Sequence, residues 1–214
     1  MFIPNDVKSN KIAVINIQSR RRIIYLVFKR FADITIASIS FLFAFPLIIV
    51  TAILIKLESK GSCFYNQIRV GKDGKLFRIY KLRSMHIDAE KGGPQWAQEN
   101  DSRVTKIGRY IRKTRIDEIP QLINIIKGDM SLVGPRPERP CFINEFNKEI
   151  PEYNHRLTVR PGLTGWAQVN GGYELSPKEK LEKDLYYINN QSIWLDLKII
   201  LKTIKVVLSG CGAR

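Results

Sequence analysis

The chain has 214 residues, which suits one domain with an appended membrane element, and its formal net charge of +15 points to polyanionic partners: nucleic acid, anionic lipid headgroups or phosphate-bearing substrates. Its three cysteines (Cys63, Cys141 and Cys211) are widely spaced and form no CxxC pair, which argues against a disulfide framework and a structural zinc site. Two histidines, His86 and His155, are too few for a multi-histidine metal site, so acid, base or nucleophile work falls to carboxylates.

An uncharged apolar segment follows a basic N-terminal lead-in over residues 1–28. Residues 34–55 form a stretch of 22 residues without a charge. At about 1.5 Å per residue, such a helix could cross a bilayer core of about 30 Å. However, Pro46 near its middle removes a backbone hydrogen bond, and basic residues on both flanks favour the cytoplasmic side. We therefore predict a re-entrant helix–break–helix over residues 29–58, in preference to a plain span or a buried core helix.

A β-hairpin is predicted after the apolar segment. Asp73-Gly74 is a hairpin turn signal between two strand-like stretches. Alternation along the second strand places Lys81 and Arg83 on one face. The polar residues 88–101 that follow are typical of a loop, either a lid over a site or plain surface.

Two further stretches have the pattern of amphipathic helices. Residues 104–115 place Lys106, Arg109, Arg112 and Lys113 at three- and four-residue spacing. Residues 193–208 place lysines on one side and apolar residues on the other. The first stripe also fits a plain solvated face. The second helix fits an anionic membrane surface or packing against the core equally well.

An adjacent acidic pair, Asp117 and Glu118, opens an apolar helical pattern that Gly128 ends. Because Pro120 is tolerated only in the first turn, the helix is expected to begin near Asp117, where free N–H groups favour anions. Two neighbouring carboxylates near cations can hold Mg²⁺, which in turn binds diphosphate oxygens. An aspartate so placed can also attack phosphorus. Considered alone, the pair fits a simple helix cap as well.

Two more motifs suggest contacts to a phosphorylated ligand. Arg136 lies between two prolines in a GPRP turn, which restricts its backbone, and its planar guanidinium suits bidentate phosphate binding. The glycine-punctuated residues 160–170 suit either close backbone approach to a ligand or tight packing. The candidate substrate contacts in this loop are Arg160, Thr164, Trp166 and Gln168.

Taken in order, these stretches resemble the bacterial sugar transferases, the monotopic polyprenyl-phosphate phosphoglycosyl transferases. The resemblance covers residues 28–208 and rests on a proline-broken hydrophobic helix together with four motifs. These motifs are KRFAD (29–33), FRIYKLRSM (77–85), IDEIPQLINIIKGDMSLVGPRP (116–137) and RPGLTGWAQVNG (160–171). One departure is visible, since Phe45 precedes Pro46 where many members carry serine.

Together with the patterns above, the resemblance implies a mainly α fold with a small β-hairpin (α+β) and amphipathic interfacial helices. The re-entrant helix would anchor a compact catalytic domain, residues 59–214, to the cytoplasmic face of the bacterial inner membrane. The implied reaction depends on Mg²⁺ and moves a sugar-1-phosphate from a UDP-sugar to undecaprenyl (polyprenyl) phosphate, releasing UMP. It would be the first membrane step of exopolysaccharide, capsule or glycan synthesis.

The resemblance also implies roles for single residues. Asp117 falls on the family's nucleophile, which would form a covalent aspartyl-phosphosugar intermediate, and Glu118 falls on its acidic partner; both are candidate metal ligands. Lys81, Arg112 and Arg136 fall on polar and phosphate-binding positions. The competing hypothesis is a non-catalytic membrane scaffold, and a homodimer is a candidate assembly for either. Nucleic acid is not an expected partner, because binding to nucleic acid would not explain the long apolar segment.

Overall fold

The computed structural model describes residues 5–93, 95 and 101–209. Cys211 and part of the predicted loop 88–101 therefore lie outside the described residues. The fold is mainly helical with one small antiparallel sheet, as predicted. The helices and strands are α1 (Asn5–Glu58), β1 (Phe64–Val70), β2 (Leu76–Leu82), α2 (Lys106–Lys113), α3 (Leu122–Lys127), β3 (Ser131–Val133), α4 (Pro140–Glu149), β4 (Gly162–Thr164), α5 (Pro177–Asn189) and α6 (Ile193–Ser209).

In the described part of the chain, α1 is the one helix long and apolar enough to cross a membrane, over Arg22–Glu58. Only 17% of its most apolar window is buried in the protein. The outer face carries large exposed side chains such as Leu42 and Phe43. A soluble core helix would be mostly enclosed, so the membrane interpretation fits this helix better.

The predicted break at Pro46 is not confirmed, because α1 continues through this residue. Proline has no N–H and leaves the Leu42 carbonyl without its helical donor. Just beyond, the Thr51 hydroxyl donates to the Leu47 carbonyl at 2.7 Å, a side-chain hydrogen bond that often accompanies helix bending. The predicted boundary at residue 28 also falls inside this helix, which begins at Asn5.

One face of α1 packs on the rest of the protein along much of its apolar length. Ala37 contributes to a core with Ile125 of α3, and Ile48 and Ile55 contribute to another with Ile111 of α2. These α1 positions recur at helical spacing, so they form one stripe. The helix therefore has two apolar sides: one packs against the rest of the protein, and the other is exposed.

Polar contacts tie both ends of this stripe to other helices. Tyr25 and Lys29 donate to the Asp196 carboxylate of α6, at 2.9 and 2.8 Å. At the other end, Glu58 accepts from the backbone N–H of Lys106, at 2.7 Å, and so caps the start of α2. The apolar part of α1 is thereby docked near both of its ends.

The predicted hairpin is confirmed by the antiparallel pairing of β1 and β2. Its turn passes through Asp73, whose φ of 54° is left-handed and suits aspartate better than most residues. Tyr65 of β1 pairs directly with Lys81 of β2. The Lys81 side chain therefore lies beside an aromatic ring, on the sheet face that lines the cavity described below.

Helical structure begins at Ile116, next to Asp117 as predicted, but its first part, Ile116–Gln121, is a 3-10 helix that holds the acidic pair. Because Pro120 cannot donate an α-helical hydrogen bond to residue 116, regular α-helix starts only at Leu122, and α3 then ends at Gly128 as predicted. A six-residue helix offers little dipole. Any stabilisation of the two carboxylates must come mainly from side chains.

The GPRP turn after β3 and the glycine-punctuated residues 160–170 pack against each other through their backbones. Strands β3 and β4 pair in parallel, a contact that the sequence patterns did not predict. Gly134 N–H donates to the Thr164 carbonyl and Gly162 N–H to the Pro135 carbonyl, both at 2.9 Å. Tight packing, and not approach to a ligand, accounts for these glycines.

This packing predicts a large effect of one added methyl group. A Cβ on Gly162 would lie 2.1 Å from the backbone nitrogen of Gly134. We expect Gly162→Ala to lower the free energy of unfolding by about 1–3 kcal/mol or more. Thermal unfolding of the detergent-solubilised chain measures this. Gly92→Ala is the matched control, because its Cβ would meet nothing closer than 3.6 Å; equal losses in both variants would contradict the close packing.

Candidate active site

A cavity of about 330 Å³ lies between the β-hairpin, the segment after β2 and the start of α4. Four of the predicted site residues line it together: Lys81, Arg112, Asp117 and Arg136. They come from β2, the last turn of α2, the 3-10 turn and the GPRP turn after β3. Glu118 lies beside them and contacts two of them. The structure thus gathers the five residues from distant parts of the sequence into one site.

The two neighbouring carboxylates have different partners. Lys81 Nζ donates to Glu118 Oε1 at 2.7 Å, and the Arg136 guanidinium donates to both Glu118 oxygens, at 3.5 Å to Oε2 and through a shorter bond to Oε1. Asp117 has Lys81 Nζ at 4.0 Å from its Oδ2 and accepts no side-chain hydrogen bond from the described residues. Both side chains are buried. Glu118 is fully paired, whereas the Asp117 carboxylate faces the cavity.

Burial and nearby charges shift the pKa values of the two acids in opposite directions. Burial raises the pKa of Asp117 to about 6, although the nearby Lys81 ammonium acts in the opposite direction. Burial also acts to raise the pKa of Glu118, but the charges of Arg136 and Lys81 outweigh it and hold that pKa well below its usual value. Glu118 is therefore an anion that orders two cations. Asp117 is a poorly solvated carboxylate, still mostly ionised at neutral pH.

The backbone around Arg136 is held from several sides. Pro135 and Pro137 fix φ on either side of it. The Pro137 carbonyl accepts from Arg69 NH1 at 3.0 Å, and the carbonyl of Arg136 itself accepts from Arg156 NH2 at 2.9 Å. The GPRP turn thus presents the guanidinium of Arg136 to the cavity from a fixed position.

Arg83, predicted to share a face with Lys81, has a structural task. Its guanidinium donates to the carbonyls of Lys60 and Ser59, at 2.7 and 2.9 Å. These carbonyls follow the end of α1, so Arg83 joins the C-terminal end of that helix to the hairpin. Both of its terminal nitrogens therefore donate to residues 59 and 60, even though the side chain also borders the cavity.

The four candidates of the glycine-punctuated loop do not line this cavity. Arg160 donates to the Gly128 carbonyl at 3.1 Å, and the Thr164 hydroxyl lies 2.7 Å from that of Thr203 in α6. Gln168 donates to the Leu163 carbonyl within the loop, at 3.0 Å. The geometry assigns these three residues to packing, and their contact with substrate stays a prediction.

Trp166, the fourth candidate, lies on the α6 side of the loop. Its ring stacks on Tyr186 with centroids 5.4 Å apart. The ammonium groups of Lys202 and Lys198 lie 4.8 and 5.6 Å from the ring centroid. Such cation–π contacts order the two lysines of α6. Beside them the exposed apolar side chains of α6 form a face suited to a membrane surface.

A buried ionic cluster next to the cavity was missed by the sequence reading. It consists of Glu138, Arg156, Lys180 and Asp184, each less than a tenth exposed. The nearest signal is Lys180 and Asp184 at i, i+4 on the inner face of α5, among apolar neighbours. Charged side chains on an apolar helical face indicate buried partners, but the partners, Glu138 and Arg156, come from two other segments.

Magnesium can be tested against the donors at this site. The described residues contain no group of three or more histidine, cysteine, aspartate or glutamate side chains that could hold a metal. Mg²⁺ in nucleotide enzymes commonly takes one or two carboxylates and completes its shell with substrate phosphates and water. The Asp117 carboxylate lines the cavity with Lys81 Nζ at 4.0 Å from it and fits that use, whereas the oxygens of Glu118 accept from Lys81 and Arg136. The donor set therefore fits a metal that arrives with a diphosphate.

The sequence of this chain is similar to those of several known proteins. A UDP-N-acetylgalactosamine-undecaprenyl-phosphate N-acetylgalactosaminephosphotransferase of Aeromonas hydrophila is 52% identical over 194 residues, 89% of this chain and 46% of that protein. A putative undecaprenyl-phosphate N-acetylgalactosaminyl 1-phosphate transferase of Bacillus subtilis (strain 168) is 59% identical over 133 residues, 62% of this chain and 74% of that protein.

A third relative is named for a different sugar. It is a UDP-glucose:undecaprenyl-phosphate glucose-1-phosphate transferase of Caulobacter vibrioides, 42% identical over 86% of this chain and 71% of that protein. The chain spans about half the length of the Aeromonas relative. Residues 24–210, nearly the whole chain, match the family of bacterial sugar transferases, and all five site residues lie within that match. The chain therefore belongs to the bacterial sugar transferase family.

Proposed function

We propose that this chain transfers a sugar-1-phosphate from a UDP-sugar to undecaprenyl phosphate, releasing UMP. The observation that carries the proposal is the Asp117 carboxylate, which faces a cavity with Lys81, Arg112 and Arg136 around it. Three cations and one carboxylate that faces the cavity suit the binding of a diphosphate next to a nucleophile. The names of the relatives support both the donor and the acceptor.

In the first step, Asp117 Oδ attacks the phosphorus atom that carries the sugar. A bond forms between Oδ and that phosphorus, while the bond from it to the bridging oxygen breaks, and its electron pair leaves with UMP. Lys81, Arg112 and Arg136 stabilise the charge that develops on the phosphoryl oxygens. The product on the enzyme is an aspartyl-phosphosugar.

In the second step, a phosphate oxygen of undecaprenyl phosphate attacks the same phosphorus. The bond to Asp117 Oδ breaks, its electron pair restores the carboxylate, and the lipid leaves as a diphosphate that carries the sugar. Two half-reactions on one carboxylate predict ping-pong kinetics. Because α1 and α6 expose apolar faces, the acceptor can reach the site while its chain stays in lipid.

A magnesium ion held by Asp117 would neutralise diphosphate charge when bound. Glu118 meanwhile orders Lys81 and Arg136 through its hydrogen bonds. The residues of this chain thereby bind and orient the diphosphate, and Asp117 supplies the covalent chemistry.

A panel of UDP-sugars tests the proposed function directly. Full-length protein in detergent is mixed with undecaprenyl phosphate, Mg²⁺ and each UDP-sugar, and UMP release is measured. We expect the highest rate with UDP-N-acetylgalactosamine, because two relatives above 50% identity are named for that sugar. No UMP release with any UDP-sugar in the presence of acceptor would refute the proposed reaction, whatever the sugar.

We also propose that α1 enters and leaves the membrane on the cytoplasmic face. Pro46 near the middle of the apolar stretch and the docking of both ends of the stripe on one domain support this arrangement. In a chain without native cysteines, single cysteines at Arg22 and Lys60 should both react with an impermeant maleimide in inside-out vesicles and neither in right-side-out vesicles. Labelling of the two positions from opposite sides would establish a plain span.

The raised pKa of Asp117 predicts a pH dependence for the first step. Since protonation removes the nucleophile, the rate should fall as the pH drops through about 6. From pH 7 to pH 5 we expect a decrease of about tenfold. The measurement is the single-turnover rate of UMP release from UDP-sugar without acceptor, which excludes titration of the lipid phosphate. A flat profile over this range would show that Asp117 is not the titrating nucleophile.

A further inference from the structure

The buried ionic cluster is built around Arg156, whose side chain is only 2% exposed. Its Nε and NH2 donate to Asp184 Oδ2, at 3.0 and 2.7 Å, and its NH1 donates to the Tyr153 hydroxyl at 2.9 Å. The same NH2 donates to the backbone carbonyl of Arg136 at 2.9 Å. One guanidinium therefore joins α5, the 3-10 helix Pro151–Thr158 and the GPRP turn.

Glu138 connects the cluster to the other side of the same turn. Its Oε1 lies 3.3 Å from Lys180 Nζ and 3.7 Å from Arg156 NH1. The charges of Lys180 and Arg156 lower the pKa of Glu138 in spite of its burial. The cluster thus contacts the chain at residue 136 and again at residue 138, on both sides of Pro137.

Such a cluster is costly to assemble for stability alone. Burying charges forfeits their hydration, and a buried ion pair is often no more stabilising than well-packed apolar residues. What an apolar replacement could not supply is the donor to the Arg136 carbonyl. Without that donor the Arg136 carbonyl would need another hydrogen-bond partner. The orientation of its peptide plane would also be less restricted.

We propose that Arg156, oriented by Asp184, is a positioning residue that fixes the Arg136 backbone so that its guanidinium meets the substrate diphosphate. The inference rests on the proposed function, in which Arg136 binds that diphosphate. Proline on either side already restricts φ. The hydrogen bond from Arg156 fixes the remaining freedom, the orientation of the peptide plane between Arg136 and Pro137. The Arg136 side chain is then held in place to contact Glu118 and the cavity, because its backbone already has the required conformation.

The test uses UDP, which retains a diphosphate, as the probe for full-length protein in nanodiscs with Mg²⁺. In Arg156→Lys the charge remains, but lysine cannot hold Asp184 and the Arg136 carbonyl with one planar group. We expect the dissociation constant of UDP, from calorimetry, to rise at least tenfold. Tyr153→Phe is the matched control: it removes one hydrogen bond from Arg156 and leaves the other two partners, so we expect less than a twofold change. If Arg156→Lys does not fold, Asp184→Asn takes its place, with the same expected rise.

A double-mutant cycle separates positioning from a general loss of structure. If Arg156 acts through Arg136, then Arg156→Lys should cost no further affinity in an Arg136→Ala background. Additive losses, or unchanged UDP affinity in Arg156→Lys, would overturn the positioning role and leave the proposed function intact. A wild-type protein that neither binds UDP nor releases UMP would instead overturn the proposed function.

Discussion

Asp117→Asn is expected to abolish the first half-reaction, with UMP release falling on the order of 10³-fold or more, because the amide cannot attack phosphorus. With radiolabelled UDP-sugar and no acceptor, wild-type protein should retain label and the variant should not. Label that stays on the variant, or lipid-linked sugar formed by it, would exclude Asp117 as the nucleophile. The first outcome would place the covalent bond on another residue.

The loss of UMP release in Asp117→Asn should not result from unfolding of the variant. The folded-state pKa of about 6 is above the ordinary value of 3.8, so at pH 8 the ionised carboxylate disfavours the folded state. A neutral amide of the same shape removes that cost, and the melting temperature at pH 8 should be equal or higher. Asp73→Asn is the control for the chemistry, because that exposed turn residue has a left-handed backbone that asparagine also accepts.

Arg136→Ala is expected to lower kcat/KM for the UDP-sugar by about 10²-fold, the scale for removal of one preorganised charge from a transition state. Arg136→Lys should recover part of the loss, since it restores the charge but not the bidentate geometry. Steady-state kinetics at saturating acceptor measures both. A variant with wild-type kcat/KM would remove Arg136 from the phosphate-binding set.

An arginine outside the cavity provides the matched control for Arg136. Arg160 donates to the Gly128 carbonyl and does not line the cavity, although the sequence made it a candidate substrate contact. Arg160→Ala should change kcat/KM less than threefold. A loss as large as that of Arg136→Ala would restore the glycine-punctuated loop to the substrate site.

Features encoded by neighbouring residues were predictable. The Asp73-Gly74 turn and the alternation around it predicted the hairpin, and uncharged length alone predicted the apolar helix. The acidic pair, Lys81 and Arg136 were proposed as one site because the order of their motifs resembles a family, not because any single motif is specific. The structure places Lys81, Asp117 and Arg136 around one cavity, with Glu118 beside them, and their roles stay predictions.

Features that depend on distant partners were not predictable. Alternation placed Arg83 beside Lys81, yet the end of α1 provides carbonyls that take up its donors. The apolar pattern after Asp117 suggested an α-helix from that residue, whereas Pro120 delays it to Leu122. Nothing local marks Arg156 as the centre of a buried cluster, because its acceptors come from other segments.

The packing of α1 has a practical consequence for experiments on this protein. Ala37, Ile48 and Ile55 are buried against α2, α3 and the hairpin, so the long apolar helix is also part of the hydrophobic core. A fragment that starts at residue 59 would expose the surfaces that these side chains cover. Solubility cannot be gained by truncation without loss of the fold. Detergent or lipid can cover the exposed apolar face of α1, but it cannot replace the contacts that the buried stripe makes with the rest of the protein.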